Sequence, residues 1–227
     1  MKILAVDTAT SACSVALAED GGTIAELNFF RGQTHSKHLT GMVDALLDVA
    51  AVKIEAVDAY AVDSGPGTFT GLRIGMAAIK GLATATGKPV VGVSSLDVLA
   101  GQAGSFSGHI CCMIDARRGE VYTAHYVTDN GTVDKISDEK AMSPRKVVQA
   151  ITGPCLFIGS GAVAYRDVIL EFANKSSRFT DNELNHLKAS TVARMGIQKL
   201  RARDFSGDES LVPNYIRRSD AENNKIR

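Results

Sequence analysis

The sequence predicts an α/β protein built from mixed sheets flanked by helices. Three observations carry that expectation. The first 30 residues alternate short apolar runs with Asp- and Gly-bearing turns, as antiparallel strands do. From there to residue 102, apolar segments with helical spacing alternate with short buried runs, as parallel strand–helix units do. After a Gly- and Ser-rich stretch at 101–108 (GQAGSFSG) the same kinds of segment return.

The elements follow in order. Residues 2–6 (KILAV), 13–17 (CSVAL) and 23–29 (TIAELNF) read as strands joined by the tight-turn sequences DTATSA and AEDGG. A helix follows, capped by Thr34 or Ser36, with Leu39, Met42, Val43, Leu46, Leu47 and Ala50 at helical spacing. Residues 59–62 form a short buried strand, SGPGTFTG a glycine-rich turn, and 72–86 a second helix ended by Gly87 and Pro89. A strand at 90–93 and a helix at 95–102 complete a first lobe, residues 1–101. The remainder, 102–227, reads as a smaller α/β lobe. It has strands at 109–115, 120–127 and 155–158 and helices at 144–152, 162–173 and 190–201, the last able to pack back on the first lobe.

Composition narrows the function. The chain has 227 residues, 45% hydrophobic and 22% charged, which suits a soluble globular protein. Twenty-five basic residues balance 25 acidic ones, so the global positive field of a stand-alone nucleic-acid binder is missing. Cys13, Cys111, Cys112 and Cys155 form no C-x-x-C pair, which disfavours structural zinc and redox motifs and suits buried thiols. No apolar run approaches the length of a membrane span, and the N-terminus does not read as a signal peptide. The expected location is cytoplasmic.

Four segments are able to carry chemistry. Asp7 ends a strand and is followed by Thr8, Thr10 and Ser11, a turn that could hold a hydrated cation and phosphate; Asp7 equally caps its own turn. In SGPGTFTGLRIG (64–75), Gly65, Gly67 and Gly71 free the backbone for close approach, but neither a Walker A nor a Rossmann pattern is present. Gly71, Gly75 and Ala78 share one stripe of the following helix, open to either an internal contact or a partner helix. In DARRGEVY (115–122), Arg117 and Arg118 could clamp an anion or simply face solvent. FIGSGA (157–162) places Gly159 and Gly161 in a strand–turn–helix. The histidines form no metal-binding pattern, and no Ser or Cys nucleophile constellation stands out.

DTAT with a second strand, His35-Ser36 heading a helix, SGPGTFTGLRIG, VSSL, DARRGEVY and PNYIR (213–217) occur in that order. Together they resemble the bacterial TsaB family, paralogues of the TsaD enzyme, across nearly the whole chain. The resemblance implies a two-lobed actin-like ATPase (ribonuclease H-like) fold with a reduced second lobe. It implies a non-catalytic subunit in tRNA N6-threonylcarbamoyladenosine synthesis, assisting TsaD, with the ATPase TsaE, in transfer to the adenosine beside the anticodon. It further implies a partner interface on the first-lobe helices, at Leu39, Met42, Val43, Leu46, Phe69, Leu72, Gly75, Met76 and Ile79, shared with TsaD or with a second copy. Asp7, Thr8, Thr10, Gly65, Gly67, Gly159 and Gly161 would be a degenerate nucleotide cleft. No resident cofactor or metal is expected, with weak ATP or ADP binding left open. tRNA contact would be indirect, with Arg117 and Arg118 as the anionic-ligand surface. Three rival classes stand beside this reading: an active phosphotransferase or ATPase centred on Asp7, direct tRNA binding through Arg117, Arg118, Arg217 and Arg218, and a glycoprotease-type peptidase.

Overall fold

A computed structural model describes residues 1–20, 22–30, 35–203 and 211–217. In chain order the elements are β1 (Ile3–Asp7), β2 (Cys13–Glu19), β3 (Gly22–Phe29), α1 (His35–Ala50), β4 (Ala59–Gly65), α2 (Phe69–Thr86), β5 (Val90–Ser94) and α3 (Ser95–Gln102). There follow β6 (Gly108–Arg117), β7 (Glu120–Asp129), β8 (Thr132–Lys135), β9 (Lys140–Met142), α4 (Pro144–Gln149), β10 (Leu156–Ile158), α5 (Ser160–Ala164), α6 (Arg166–Phe172), β11 (Arg178–Phe179) and α7 (Ala189–Arg201).

The chain divides into two compact units, Met1–Val98 with Leu187–Asn214, and Leu99–His186 with Tyr215–Arg227. The boundary expected at 101/102 therefore falls at 98/99, and the segment carrying α7 returns to the first unit. The stretch 101–108, expected to link two lobes, lies inside the second unit. Ala103 is buried there, and the Phe106 carbonyl accepts a hydrogen bond from the Thr128 hydroxyl.

In the first unit the sheet order is β3-β2-β1-β4-β5. β1 runs antiparallel to β2, from Ile3 opposite Ala18 to Asp7 opposite Ser14, and parallel to β4. Strand periodicity sorts the side chains. Leu4 and Val6 join Val15, Leu17, Leu39, Leu46 and Ile79 in the core beneath α1 and α2. Ile3 and Ala61 face the other way, onto α7 at Gly196, where a Cβ would lie 2.8 Å from the Ala61 methyl. With both faces covered, β1 and β4 are apolar almost throughout. Lys188, which precedes α7, gives the helix no side-chain cap. Its first donors go instead to the sheet: Ala189 N–H to Ser14 Oγ at 2.9 Å and Ser190 N–H to Glu26 Oε1 at 2.8 Å. Such bonds satisfy helix-end donors and place a carboxylate at the positive end of the dipole.

In the second unit the order is β11-β10-β6-β7-β8, with β9 pairing β7. Its core includes Cys111, Met113, Val121, Phe157 and Ile169. Asn130 and Gly131 both take positive φ at the β7–β8 turn, as a two-residue hairpin requires. The helix expected over 162–173 is two helices, broken at Tyr165. The helix expected over 144–152 stops at Gln149. Strands β8, β9 and β11 have two to four residues each, too few to show a period in sequence. The helix expected to be capped by Thr34 or Ser36 begins at His35, so Ser36 sits in its first turn; Thr34 lies outside the described residues.

Candidate functional site

The densest polar arrangement of the first unit lies where β1, β4 and α2 meet. The turn after β1 is held from several sides. Ala9 O accepts from Thr68 N–H at 2.7 Å, Thr8 Oγ1 donates to Gly71 O at 2.8 Å, and His35 Nε2 lies 2.8 Å from Thr10 O. Thr68 caps α2, accepting from Gly71 N–H at 3.2 Å. Three glycines make this fit. A Cβ on Gly67 would strike the Ala9 carbonyl, one on Gly71 the Thr8 carbonyl, and one on Gly75 the Thr8 hydroxyl. The stripe that the sequence offers to either a sheet or a partner is thus taken up by the chain's own first turn.

Beneath the turn, Asp7 ends β1 and Asp63 lies near the end of the adjacent parallel β4, 0% and 1% exposed. Asp63 Oδ1 accepts from Gly65 N–H at 2.8 Å and from the Ser95 hydroxyl at 2.5 Å. Asp7 Oδ1 accepts from Ala9 N–H, at 2.9 Å. Burial first, and then the neighbouring Asp63 charge, push the Asp7 carboxyl well above the usual range. Two donors favour charge on Asp63 and one favours it less on Asp7, so of the pair Asp7 is the better place for a proton.

This arrangement does not fit a hydrated cation with phosphate. Asp7 is sealed and facing a second carboxyl, the Thr8 hydroxyl is spent on Gly71, and Thr68 already takes a leading donor of α2. Of the residues expected to form a nucleotide cleft, Asp7, Thr8, Gly65 and Gly67 gather here, with Thr10 at the rim. Gly159 and Gly161 belong to the second unit. There Gly159 takes φ +106° and lies against the Met113 carbonyl, and a Cβ on Gly161 would be 2.9 Å from Val121, so both are consumed by packing α5 onto β6. Asp63 and Ser95 were not singled out from the sequence. The signal was there: DSG closes a buried strand, as DTA closes β1.

The expected interface residues need correction. Leu39, Val43, Leu46, Leu72, Gly75, Met76 and Ile79 are buried in the first unit's own packing, leaving only Met42 and Phe69 half-buried. Helical periodicity marks the apolar side, and that side covers the sheet. The exposed positions of α1 and α2 mix small apolar residues with polar ones: Gly41, Ala45 and Val49 stand among Lys37, Thr40, Asp44 and Asp48 on one, and Ala77, Gly81 and Ala85 among Thr70, Arg73 and Thr84 on the other.

In the second unit, Arg117, Arg118 and Gly119 take three consecutive left-handed conformations in the β6–β7 hairpin. Arg117 is exposed and pairs with Asp115 at 3.3 Å. Arg118 is exposed as well, and Arg217 is engaged by Glu120 and the Ala116 carbonyl, each at 3.0 Å. Arg218 lies outside the described residues. All four cysteines are buried; burial pushes the Cys13 and Cys155 thiols up to about 12, so they are poor nucleophiles. Among the described residues no cluster of His, Cys, Asp and Glu could hold a metal, and no helix is long and apolar enough to cross a membrane.

The family of TsaD, tRNA N6-adenosine threonylcarbamoyltransferase, matches residues 17–225. The tRNA threonylcarbamoyladenosine biosynthesis protein TsaB of Escherichia coli is 37% identical over 174 residues, 74% of this chain and 75% of its own length. TsaB of Bacillus subtilis is 31% identical over 225 residues, 98% and 96%. A Pseudomonas aeruginosa protein described as similar to the peptidase YeaZ superposes with TM-score 0.82 at 30% identity, over 95% of this chain and 99% of its own. An inorganic polyphosphate/ATP-glucomannokinase from Arthrobacter superposes with TM-score 0.50 at 10% identity, over 87% and 99%, which extends the likeness to the sugar-kinase fold alone.

Proposed function

The chain belongs to the TsaB family of tRNA threonylcarbamoyladenosine biosynthesis proteins, and on that premise we propose that it serves this synthesis as a non-catalytic scaffold for its TsaD paralogue. One observation carries the reading. The turn best placed for chemistry is sealed, with Asp7 and Thr8 at 0% and 1% exposure, while α1 and α2 turn small residues outward side by side. Gly41, Ala45 and Val49 repeat every four residues, as do Ala77, Gly81 and Ala85, so each set forms one stripe. Val49 is 78% exposed. Small residues let a partner's helices approach closely, and the apolar surface buried there supplies the association energy.

A second copy of this chain would occupy the same stripes when TsaD is absent, and TsaE would join the assembled pair. Contact with tRNA would be indirect, helped by the exposed Arg117 and Arg118.

Ala77→Arg and Gly81→Arg test the interface. Position 81 has no atom within 4 Å of a Cβ and position 77 is exposed, so each variant should keep its folding stability within about 1 kcal/mol. Both should lose co-purification with the TsaD paralogue and fail to support tRNA modification in a reconstituted reaction. A normal complex from both variants would overturn the reading. The phosphotransferase alternative predicts nucleotide turnover by the purified chain that Asp7→Asn abolishes; the scaffold predicts none.

A further inference from the structure

The last described segment, residues 211–217, begins on the first unit without forming a helix or strand there. It meets the sheet toward the carboxyl ends of the parallel strands β4 and β5. Those strands pair regularly up to Asp63 opposite Val93, and pairing then resumes with Gly65 opposite Ser94. Ser64 is the extra residue of a bulge, so its backbone leaves the ladder. The Ser64 carbonyl accepts from Asn214 N–H at 2.7 Å, and its hydroxyl donates to Val93 O at 3.1 Å.

Two glycines make room for the segment. A Cβ on Gly92 would lie 2.6 Å from Leu211 Cδ1, and one on Gly65 would lie 3.0 Å from the Asn214 carbonyl. Leu211 enters this space half-buried and packs at the margin of the core that contains Val62 and Ile79. Val212, by contrast, is 67% exposed. A main-chain bond with a pocket for a neighbouring side chain is how extended peptides are taken up. Open α/β sheets receive ligands outside the carboxyl ends of their strands. Here that place holds the chain's own residues.

Leaving it uncovers far less apolar surface than unfolding the unit does, which puts the segment among the elements that open locally. Arg217 is held separately by Glu120 and the Ala116 carbonyl, so an opening at Leu211–Asn214 leaves that end in place. We propose that Leu211–Asn214 is a releasable strap: it fills in cis a peptide-binding notch made by Ser64, Gly65 and Gly92, and it opens while the first unit stays folded. Once open, the notch accepts the same segment offered in trans. It shares no residue with the outward stripes of α1 and α2, so it stands or falls apart from the scaffold reading.

The test uses the full chain. Amide exchange followed residue by residue should show Asn214 N–H exchanging at a rate nearly independent of low urea, whereas urea should accelerate exchange in the middle of β4. Leu211→Asp should speed exchange at Asn214 by about tenfold or more while β4 stays protected. A fluorescent peptide of residues 211–217, Leu-Val-Pro-Asn-Tyr-Ile-Arg, should bind that variant at least about tenfold more tightly than the parent, whose notch is filled. The same peptide with Asp in place of its leucine should bind neither. Should Leu211→Asp fail to fold, Gly92→Ala crowds the end of the Leu211 side chain instead and should likewise speed exchange at Asn214. Exchange at Asn214 that tracks β4 through the urea series would overturn the proposal. Equal peptide binding by variant and parent, or an unchanged Asn214 rate in the folded variant, would do the same.

Discussion

Gly71→Ala is expected to cost about 3 kcal/mol of stability or more, in the upper range for overpacking. Alanine normally gains up to about 1 kcal/mol over glycine inside a helix, so the sign itself is informative. At position 71 the new methyl would fall well inside 3.0 Å of the Thr8 carbonyl and at 2.5 Å from Thr68 Oγ1. Backbone cannot swing aside as a flexible side chain does. Relief requires either the β1–β2 turn to lift or α2 to slide, and both would break the bonds Thr8–Gly71 and Thr68–Ala9. Gly81→Ala is the control, since nothing lies within 4 Å there. It should stabilise by about 1 kcal/mol. Urea denaturation of the two variants beside the parent reads both signs. A Gly71→Ala protein that melts like the parent would contradict the packing of α2 on this turn. The same geometry rules out bulky substitutions at Gly75 as probes of partner binding, because they would damage the monomer first.

Asp7→Asn is expected to raise stability at neutral and alkaline pH and to flatten its pH dependence. The Asp7 carboxyl is raised by burial and by Asp63, above an ordinary value near 3.8. Above that value the unfolded chain has released the proton while the native chain still holds it, so native structure binds more protons and stability falls as pH rises. The favourable contribution is complete below the unfolded value and is lost as pH climbs through the raised native one. Asparagine keeps an oxygen for the Ala9 N–H and supplies an amide donor toward Asp63, with no charge to bury. Thermal melts across pH should show the parent declining on the alkaline side and the variant declining less. A variant that melts below the parent at neutral pH would contradict a raised Asp7 carboxyl.

The sequence made the framework visible where side chains repeat with a period. β1, β2 and β4 are short and apolar, α1 and α2 have clear stripes, and Gly87 ends α2 in the left-handed conformation its position suggests. Partner choice was less legible. An apolar stripe such as Leu39–Val43–Leu46 is the same string of letters whether it covers the chain's own sheet or another protein. Here the strands of the first unit already claim it. Gly75 was ambiguous for a related reason: a notch says that something comes close, and only the fold shows that Thr8 does. Asp63 was overlooked because it lies inside an otherwise apolar strand, where one carboxylate is easily read as a turn residue. His35, which the sequence shows only as the head of a helix, reaches the Thr10 carbonyl with its ring and ties α1 to the first turn. Tertiary capping was beyond any local reading. The donors of α7 are met by Ser14 and Glu26, more than 160 positions earlier in the chain.

That late-arriving helix bears on how the protein is made. A ribosome releases β1 through β5 long before residues 187–201 emerge, and until then Ile3, Ala61 and Val91 have only water above them. The nascent first unit is therefore a half-covered sheet that waits for the whole second unit to be translated. Chains stalled or cleaved before α7 should be sticky and chaperone-dependent, whereas release of the finished polypeptide closes the face in one long-range step.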